Sequence, residues 1–203
     1  MAGLPLKLIV GLGNPGDEYA RTRHNVGFWF AEELARRHGG VFRNEPRHQG
    51  ELARVTIAGS EVWLLKPMTY MNRSGGCVRS VASFYKVPAS EVLVCYDEID
   101  FPPGVVKLRV GGGAAGHNGV LDVIAHLGPD FWRIRVGVGK PPVKGPDHVL
   151  SRPTAEEERL IRECVALAAD AVPMLITEGP QKAMNWLHSR AGKPGADSTA
   201  GDE

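Results

Sequence analysis

Short apolar runs alternate along this chain with longer segments in which apolar positions recur every three or four residues. Residues 6–12 form a nearly continuous apolar run, which is typical of a buried central strand. Residues 26–38 have helical spacing, and Gly39-Gly40 marks the end of that predicted helix. Further strands are predicted at residues 51–58, 61–65, 92–96, 105–110 and 131–138. Further helices are predicted at residues 74–85, 119–127, 154–176 and 180–190.

Two local signals refine this pattern. Gly59-Ser60 separates two strand-like segments and predicts a two-residue hairpin turn. Thr154 followed by Glu157 predicts a capping box at the start of a helix. Because helices alternate with strands around at least one hairpin, we expect an α/β domain. Its central sheet should be mixed, mostly parallel and twisted, with helices on both faces in three layers.

Composition sets the domain limits. The chain has 203 residues, of which 43% are hydrophobic and 23% charged, and these values suit one globular domain. We assign this domain to residues 1–190 and expect residues 191–203, which are small and polar, to be a disordered tail. The glycines and prolines of residues 139–153 predict a flexible loop. No apolar run reaches the ~20 residues needed to cross a bilayer, and the short apolar run at residues 6–12, interrupted by Gly11, is not expected to be a signal peptide.

Several function classes are disfavoured at this stage. A net charge of +1 argues against wholesale wrapping of nucleic acid, although a local basic patch remains compatible with it. Cys77, Cys95 and Cys164 are too few and too far apart for a disulfide framework, which favours a reducing, cytoplasmic compartment. Neither CxxC nor HExxH is present, so no metal site is expected, and the absence of GxSxG gives a serine nucleophile no support.

Three separated loops share one kind of chemistry. They are GLGNPG at 11–16 continuing to TRHN at 22–25, KPMTYMN at 66–72, and GGGAAGHNG at 111–119. Each contains an asparagine, two contain a histidine, and each lies at the end of an apolar run. A histidine exchanges protons near neutral pH, whereas an amide only donates and accepts hydrogen bonds. Together they would hold a neutral, peptide-like group and cleave a bond beside it.

His24 is the candidate general base, and Asp97 is its candidate partner. Asp97 ends a separate buried strand, where functional groups of α/β sheets gather. Its carboxylate could orient the imidazole so that the free ring nitrogen activates water. The alternatives are an exposed or helix-capping histidine and an acidic turn. His117 directly precedes a predicted helix and is better suited to capping that helix than to acting as a second base.

GLGNPG also fits the dinucleotide fingerprint GxGxxG, which makes an NAD-dependent enzyme a rival interpretation. The context is wrong, because Asp17 and Glu18 follow the last glycine and would repel a pyrophosphate. We interpret the glycines instead as allowing a sharp turn that brings Asn14 to the end of the strand.

Two predicted strands carry cations at alternating positions, so that the cations of each strand share a face. Four cations on neighbouring strands could hold phosphates, and a solvated strand face is the alternative. These cations are Lys107, Arg109, Arg133 and Arg135.

The chain resembles bacterial-type peptidyl-tRNA hydrolases from about residue 6 to residue 190. The resemblance rests on GLGNPG at 11–16, Tyr19 with TRHN at 22–25, Met71-Asn72 with Ser74-Gly75, Asp97-Glu98 with Asp100, and GHNG at 116–119. Several motifs in the same order are specific, whereas any one of them is not.

The resemblance implies a monomeric, cofactor-free esterase that releases peptide from peptidyl-tRNA, with neither DNA nor a membrane as partner. It implies that His24 is the base, that Asp97 is its partner and that Asn14 helps to hold the catalytic arrangement. The candidates for substrate binding are Tyr19, Met71, Asn72, His117 and Asn118. The candidates for tRNA binding are Lys107, Arg109, Arg133 and Arg135, of which Arg109 and Arg135 match positions that clamp the tRNA 5′-phosphate.

Two departures from the family pattern stand out. Ala114-Ala115 occupies positions where the family usually has more glycine or a polar residue, which restricts the loop. Arg109 occupies a position where lysine is frequent. Two other functions remain open: a non-catalytic RNA-binding factor of the same fold, and a general hydrolase of small N-acyl esters.

Overall fold

A seven-stranded sheet runs through the protein, and helices cover both of its faces. The computed structural model describes residues 2–142 and 147–191. The strands are β1 (Leu8–Gly11), β2 (Arg43–Glu45), β3 (Gly50–Ile57), β4 (Ser60–Pro67), β5 (Val92–Glu98), β6 (Val106–Val110) and β7 (Trp132–Gly137). The helices are α1 (Val26–His38), α2 (Ser74–Phe84), α3 (Asn118–Leu127), α4 (Ala155–Glu178) and α5 (Pro180–Arg190).

The sheet has the strand order β2-β3-β4-β1-β5-β7-β6. Its four central strands, β4, β1, β5 and β7, are parallel neighbours, whereas β2, β3 and β6 join by antiparallel pairing at the two edges. The predicted mixed sheet is therefore confirmed, with the parallel part at its centre. Among the described residues, no helix is long and apolar enough to cross a membrane.

Alternation along the central strands produces two hydrophobic cores. Leu8 and Val10 of β1 face one core, which contains the apolar sides of α2 and α3. Ile9 faces the other core, where α1, α4 and α5 pack. Since successive strand side chains point to opposite faces, a strand buried on both sides is apolar throughout. This arrangement confirms the three-layer α/β fold.

Two glycines bring β1 and α1 into contact. A Cβ atom on Gly11 would lie 2.0 Å from the carbonyl oxygen of Gly27, and a Cβ atom on Gly27 would lie 2.4 Å from the Leu12 backbone. Gly16 has a φ of 105° and makes the expected turn. The interpretation of the GLGNPG glycines as turn formers therefore holds at Gly16, while Gly11 provides space for close packing. The packing fixes the residues just before α1 beside the ends of β1 and β5.

Two local predictions are corrected. The hairpin turn consists of Ala58 and Gly59, with φ values of 50° and 80°, and Ser60 already pairs with Ile57. Left-handed values at both central residues are typical of a type I′ turn, so the predicted Gly59-Ser60 turn lies one residue too late. Strand β2 was not predicted, because three polar residues carry no hydrophobic alternation.

The predicted tail and flexible loop are each corrected in part. Ala191 is buried, and its carbonyl oxygen accepts a hydrogen bond from the Val106 N–H, so the domain includes this residue. The rest of the predicted tail, residues 192–203, lies outside the described residues. In the predicted loop, the carbonyl oxygens of Val149 and Ser151 accept backbone hydrogen bonds from His24 and Arg23. This part of the loop is held in place, and residues 143–146 are outside the described residues.

Candidate active site

A cleft of about 500 Å³ opens at the carboxyl ends of β1 and β5. Parallel strands of an open α/β sheet place their functional loops at this edge. The cleft brings together all eight side chains that the sequence proposed for catalysis and substrate binding: Asn14, Tyr19, His24, Met71, Asn72, Asp97, His117 and Asn118.

His24 and Asp97 form a buried hydrogen-bonded pair in this cleft. His24 lies in the short helical turn Arg23–Asn25, and its Nδ1 is 2.8 and 2.9 Å from the two carboxylate oxygens of Asp97. Burial lowers the pKa of His24, but the charge and hydrogen bond of Asp97 outweigh burial, so its pKa is raised above 6.5. Burial opposes ionisation of Asp97, but contacts with His24 and His117 hold its pKa well below the usual range. The carboxylate is therefore ionised and accepts the Nδ1–H of His24.

His117 donates a hydrogen bond to the same carboxylate. Its Nδ1 accepts from the Val120 N–H at 3.2 Å, which caps α3, so Nε2 carries the proton. That Nε2 lies 2.8 Å from Oδ1 of Asp97. The expected capping role is observed. Both ring nitrogens of His117 are engaged, so its ring lines the cleft without a free nitrogen, and its place among the substrate-binding residues stays a prediction.

The separations within this group fit hydrogen bonds better than metal coordination. Ligand atoms of His24, Asp97 and His117 lie within 4.8 Å of one another, which is close enough for a shared ion. However, the N···O distances of 2.8 to 2.9 Å are shorter than the roughly 3.3 Å expected between two ligands of a tetrahedral metal. With Nδ1 of His24 directed at Asp97, the Nε2 atom is left as a proton acceptor.

Asn14 presents its amide nitrogen to the cleft because its oxygen is already used. Oδ1 accepts the Met71 N–H at 2.7 Å, which fixes the orientation of the amide. The side chain of Asn25 bonds both the N–H and the carbonyl oxygen of Asn14, each at 2.9 Å. Among the described residues, the Asn14 Nδ2 has no hydrogen-bond acceptor, so it is available to a bound group.

Asn72 and Asn118 place two further side-chain amides in the cleft. Asn72 belongs to the helical turn Met71–Arg73, and Asn118 is the first residue of α3. Both side chains are exposed to the cleft, whereas Met71 is buried beneath them. Three amides therefore surround the space in front of His24, and they can hold a neutral group with hydrogen bonds.

Sequence reasoning missed part of the lining. Further lining side chains are Tyr70, Glu98, Ile99, Ala115, Pro141, His148, Val149 and Leu150. Tyr70 and Glu98 adjoin residues that the sequence did propose, so proximity could have suggested them. The last four belong to the predicted flexible loop, and long-range contacts of Arg23 and His24 with residues 148–151 bring that part of the loop to the cleft.

The predicted cations lie on neighbouring strands beside the cleft. Lys107 of β6 is paired with Arg135 of β7, and both cations lie over the ring of Phe101, at 4.9 and 4.6 Å. The Arg135 Nε donates to Glu98 Oε1 at 3.1 Å, and Glu98 also lines the cleft. The phosphate-binding candidates and the cleft therefore share the side chain of Glu98.

Arg133 corrects the sequence prediction, because its side chain is fully buried. Its guanidinium donates to the carbonyl oxygens of Gly112, Gly113 and Pro129 at 2.6 to 3.0 Å. The alternation of side chains along β7 places Arg133 on the same face as Arg135. However, the loop of residues 111–113, called the glycine loop below, covers this end of the strand. Three cations, Lys107, Arg109 and Arg135, are thus left as candidates for contact with RNA.

Known proteins match the chain over nearly all of its length. The family model described as peptidyl-tRNA hydrolase matches residues 8–194. The peptidyl-tRNA hydrolase of Halorhodospira halophila is 50% identical over 90% of this chain and 96% of its own length. That of Alkalilimnicola ehrlichii is 49% identical over 92% of this chain and 97% of its own.

Solved structures give the same result. The crystal structure of peptidyl-tRNA hydrolase from Acinetobacter baumannii superposes with a TM-score of 0.90 at 42% identity. The superposition covers 94% of this chain and 98% of that one. The chain belongs to the peptidyl-tRNA hydrolase family.

Proposed function

We propose that this protein hydrolyses the ester bond between peptide and tRNA, and so releases free tRNA and peptide. The observation that carries the proposal is the His24–Asp97 pair, which faces a cleft that the amides of three asparagines also line. A titrating base next to non-titrating amides suits cleavage of a bond beside a neutral peptide. Family membership supports the same substrate.

His24 acts as the general base in this mechanism. Asp97 accepts the Nδ1–H, so Nε2 takes a proton from water while the water oxygen forms a bond to the ester carbonyl carbon. The tetrahedral intermediate collapses as the bond to the ribose oxygen breaks. His24 then gives its Nε2 proton to this oxygen, which leaves as the terminal ribose hydroxyl of tRNA. The steps require no cofactor.

The asparagines hold the substrate and the charge that develops on it. Asn14 offers an Nδ2–H donor, which suits the oxyanion that forms on the carbonyl oxygen. Asn72 and Asn118 lie further along the cleft and suit the backbone of the peptide. These amides are uncharged, and the Glu98 carboxylate that also lines the cleft is already paired with Arg135, so an N-blocked group should be preferred over a free ammonium group.

The basic residues of β6 and β7 hold the RNA. Lys107, Arg109 and Arg135 provide local positive charge on a protein of net charge +1. A few phosphate contacts give an affinity that falls with salt, but less steeply than the affinity of a protein that wraps nucleic acid. We further propose that the protein works in the cytoplasm as a monomer, on RNA and not on DNA or a membrane.

The test is release of N-acetylated amino acid from N-acetyl-aminoacyl-tRNA. Wild type should release it rapidly, and His24→Ala should lose nearly all turnover while it still binds tRNA. The matched control is His126→Ala, which removes a histidine outside the cleft and should retain activity. Unblocked aminoacyl-tRNA should react slowly.

Two outcomes would contradict the proposal. No release by wild type, with tRNA still bound, would indicate the non-catalytic RNA-binding factor. Equal cleavage of a small N-acyl ester would indicate the general hydrolase.

A further inference from the structure

Helix α2 begins without a capping side chain of its own. Its N-cap residue, Arg73, makes no side-chain hydrogen bond to the first turn. The first backbone N–H groups of a helix have no partner within the helix and carry partial positive charge. In α2, the N–H of Gly75 donates instead to the carboxylate of Asp122 on α3, at 2.7 Å. The cap comes from the neighbouring helix.

The two helices touch at this point. A Cβ atom on Gly75 would lie 2.1 Å from the carbonyl oxygen of Asp122, so only glycine allows this approach. A second close approach lies nearer the cleft, where a Cβ atom on Gly119 would lie 2.4 Å from the side-chain sulfur of Met71, in the turn that leads into α2. The spacing between α2 and α3 is therefore fixed by backbone contact and by the length of the Asp122 side chain.

Each helix carries one asparagine of the cleft at its start. Asn72 lies in the turn that leads into α2, and Asn118 is the first residue of α3. Met71 lies between Asn14 and the start of α2, and its backbone N–H donates to the Asn14 side-chain oxygen at 2.7 Å. On the other side, the Oγ of Ser74 donates to the Met71 carbonyl oxygen at 2.8 Å. The Asp122 bond completes the attachment of this turn to α3.

We propose that Asp122 is a positioning residue that sets the distance between Asn72 and Asn118, and thereby the fit of the N-blocked peptide. The proposal rests on the function proposed above, in which these two amides hold the peptide. Asp122 does not line the cleft, so it touches neither the substrate nor the attacking water and acts through the two asparagines. Misplacement of a binding group by about 1 Å can cost up to ~100-fold in rate, so a change in this spacing should be visible in turnover.

Two substitutions separate side-chain length from charge. Asp122→Asn keeps the length and an accepting oxygen, and its kcat on N-acetyl-aminoacyl-tRNA should stay within about threefold of wild type. Asp122→Glu keeps the charge and the cap but adds a methylene group between the helices. It should lower kcat about tenfold. It should also reduce the preference for blocked over unblocked aminoacyl-tRNA, with the Kd for deacylated tRNA unchanged.

The matched control is His126→Ala, which removes the imidazole beside Asp122, with its Nδ1 2.9 Å from the Asp122 carbonyl oxygen, and leaves the carboxylate bond to Gly75. It should behave as wild type.

Reactions are measured well below the Tm of each variant. If Asp122→Glu does not fold, Asp122→Ala is measured in its place, and the same loss of preference for the blocked substrate is expected. Wild-type kcat and preference in Asp122→Glu would overturn the proposal. An equal loss in Asp122→Asn, or equal losses on both substrates and in tRNA binding, would also overturn it. An inactive wild type would instead remove the proposed function itself.

Discussion

Arg23 and Glu157 form an ion pair, 3.0 Å long, that joins the residue before His24 to the first turn of α4. Glu157 also accepts the N–H of Thr154 and thus completes the predicted capping box. The Arg23 side chain is nearly buried, and it also donates to Ser151 Oγ at 2.6 Å and to the Arg152 carbonyl oxygen at 3.0 Å. One guanidinium therefore holds the cleft wall around residues 148–152 against α4 and the His24 turn.

Replacement of Arg23 should loosen this wall. We expect Arg23→Gln to lower the free energy of unfolding by about 2 to 4 kcal/mol, because a nearly buried guanidinium is lost from Glu157 and from three carbonyl oxygens. It should also raise KM for N-acetyl-aminoacyl-tRNA, since Val149 and Leu150 line the cleft. Urea denaturation and steady-state kinetics measure the two effects. The control is Glu157→Gln, which keeps an accepting oxygen and should cost less. Equal KM values in wild type and Arg23→Gln would show that the wall does not contact substrate.

The pH dependence of turnover should report the His24–Asp97 pair. His24 works as a base only when neutral, and Asp97 raises its pKa above 6.5 despite burial. Activity should therefore be lost as the pH falls through that raised pKa, and the acid limb should lie above pH 6.5. A pH–rate profile of kcat/KM measures the pKa in the free enzyme.

Asp97→Asn should move this limb to lower pH, because the charge that raises the His24 pKa is removed. It should also lower kcat by about 100-fold or more. The amide introduced at position 97 can donate to Nδ1 of His24, which places the imidazole proton on Nε2, so that Nε2 can no longer accept a proton from water. If the acid limb stays in place in Asp97→Asn, the limb belongs to another group.

Local patterns were sufficient for most of the fold. The predicted bounds of α1 and α5 agree with the structure, since helical periodicity and flanking glycine or proline are local signals. The proximity of His24 and Asp97 was also predictable, because both follow apolar runs that become parallel neighbours in the sheet. These inferences need only strand alternation and the rule that loops gather at one edge.

What the sequence left open depends on contacts between distant segments. Strand alternation treats Arg133 and Arg135 alike, yet the glycine loop buries the first and Glu98 holds the second. Likewise, the glycines and prolines of residues 139–153 indicated a flexible loop, whereas Arg23 fixes the backbone near Ser151. Neither outcome follows from local propensity, because each depends on which distant group reaches the side chain.

Arg133 and Arg135 therefore make a matched pair for testing the basic patch. Arg135→Gln should weaken tRNA binding and reduce the slope of log Kd against log salt by about 1, as expected for loss of one phosphate contact. Arg133→Gln should leave that slope unchanged and instead lower the free energy of unfolding by about 2 to 3 kcal/mol, since three carbonyl oxygens lose a donor whose side chain is fully buried. Filter binding across a salt series and urea denaturation measure the two. A reduced slope in Arg133→Gln would place that side chain on the RNA.

Ala115 has a φ of 48°, in the left-handed region that favours glycine. Left-handed backbone costs an L-residue roughly 1 to 2 kcal/mol, whereas glycine loses about 0.5 to 1 kcal/mol through its flexibility in the unfolded chain. Ala115→Gly should therefore raise the free energy of unfolding by up to about 1 kcal/mol. Ala114→Gly is the control: without a left-handed φ at Ala114, only the entropic cost applies, and stability should fall. Urea denaturation of both variants decides the matter, since a loss of stability in both would mean that the loop relieves the strain at Ala115 by moving.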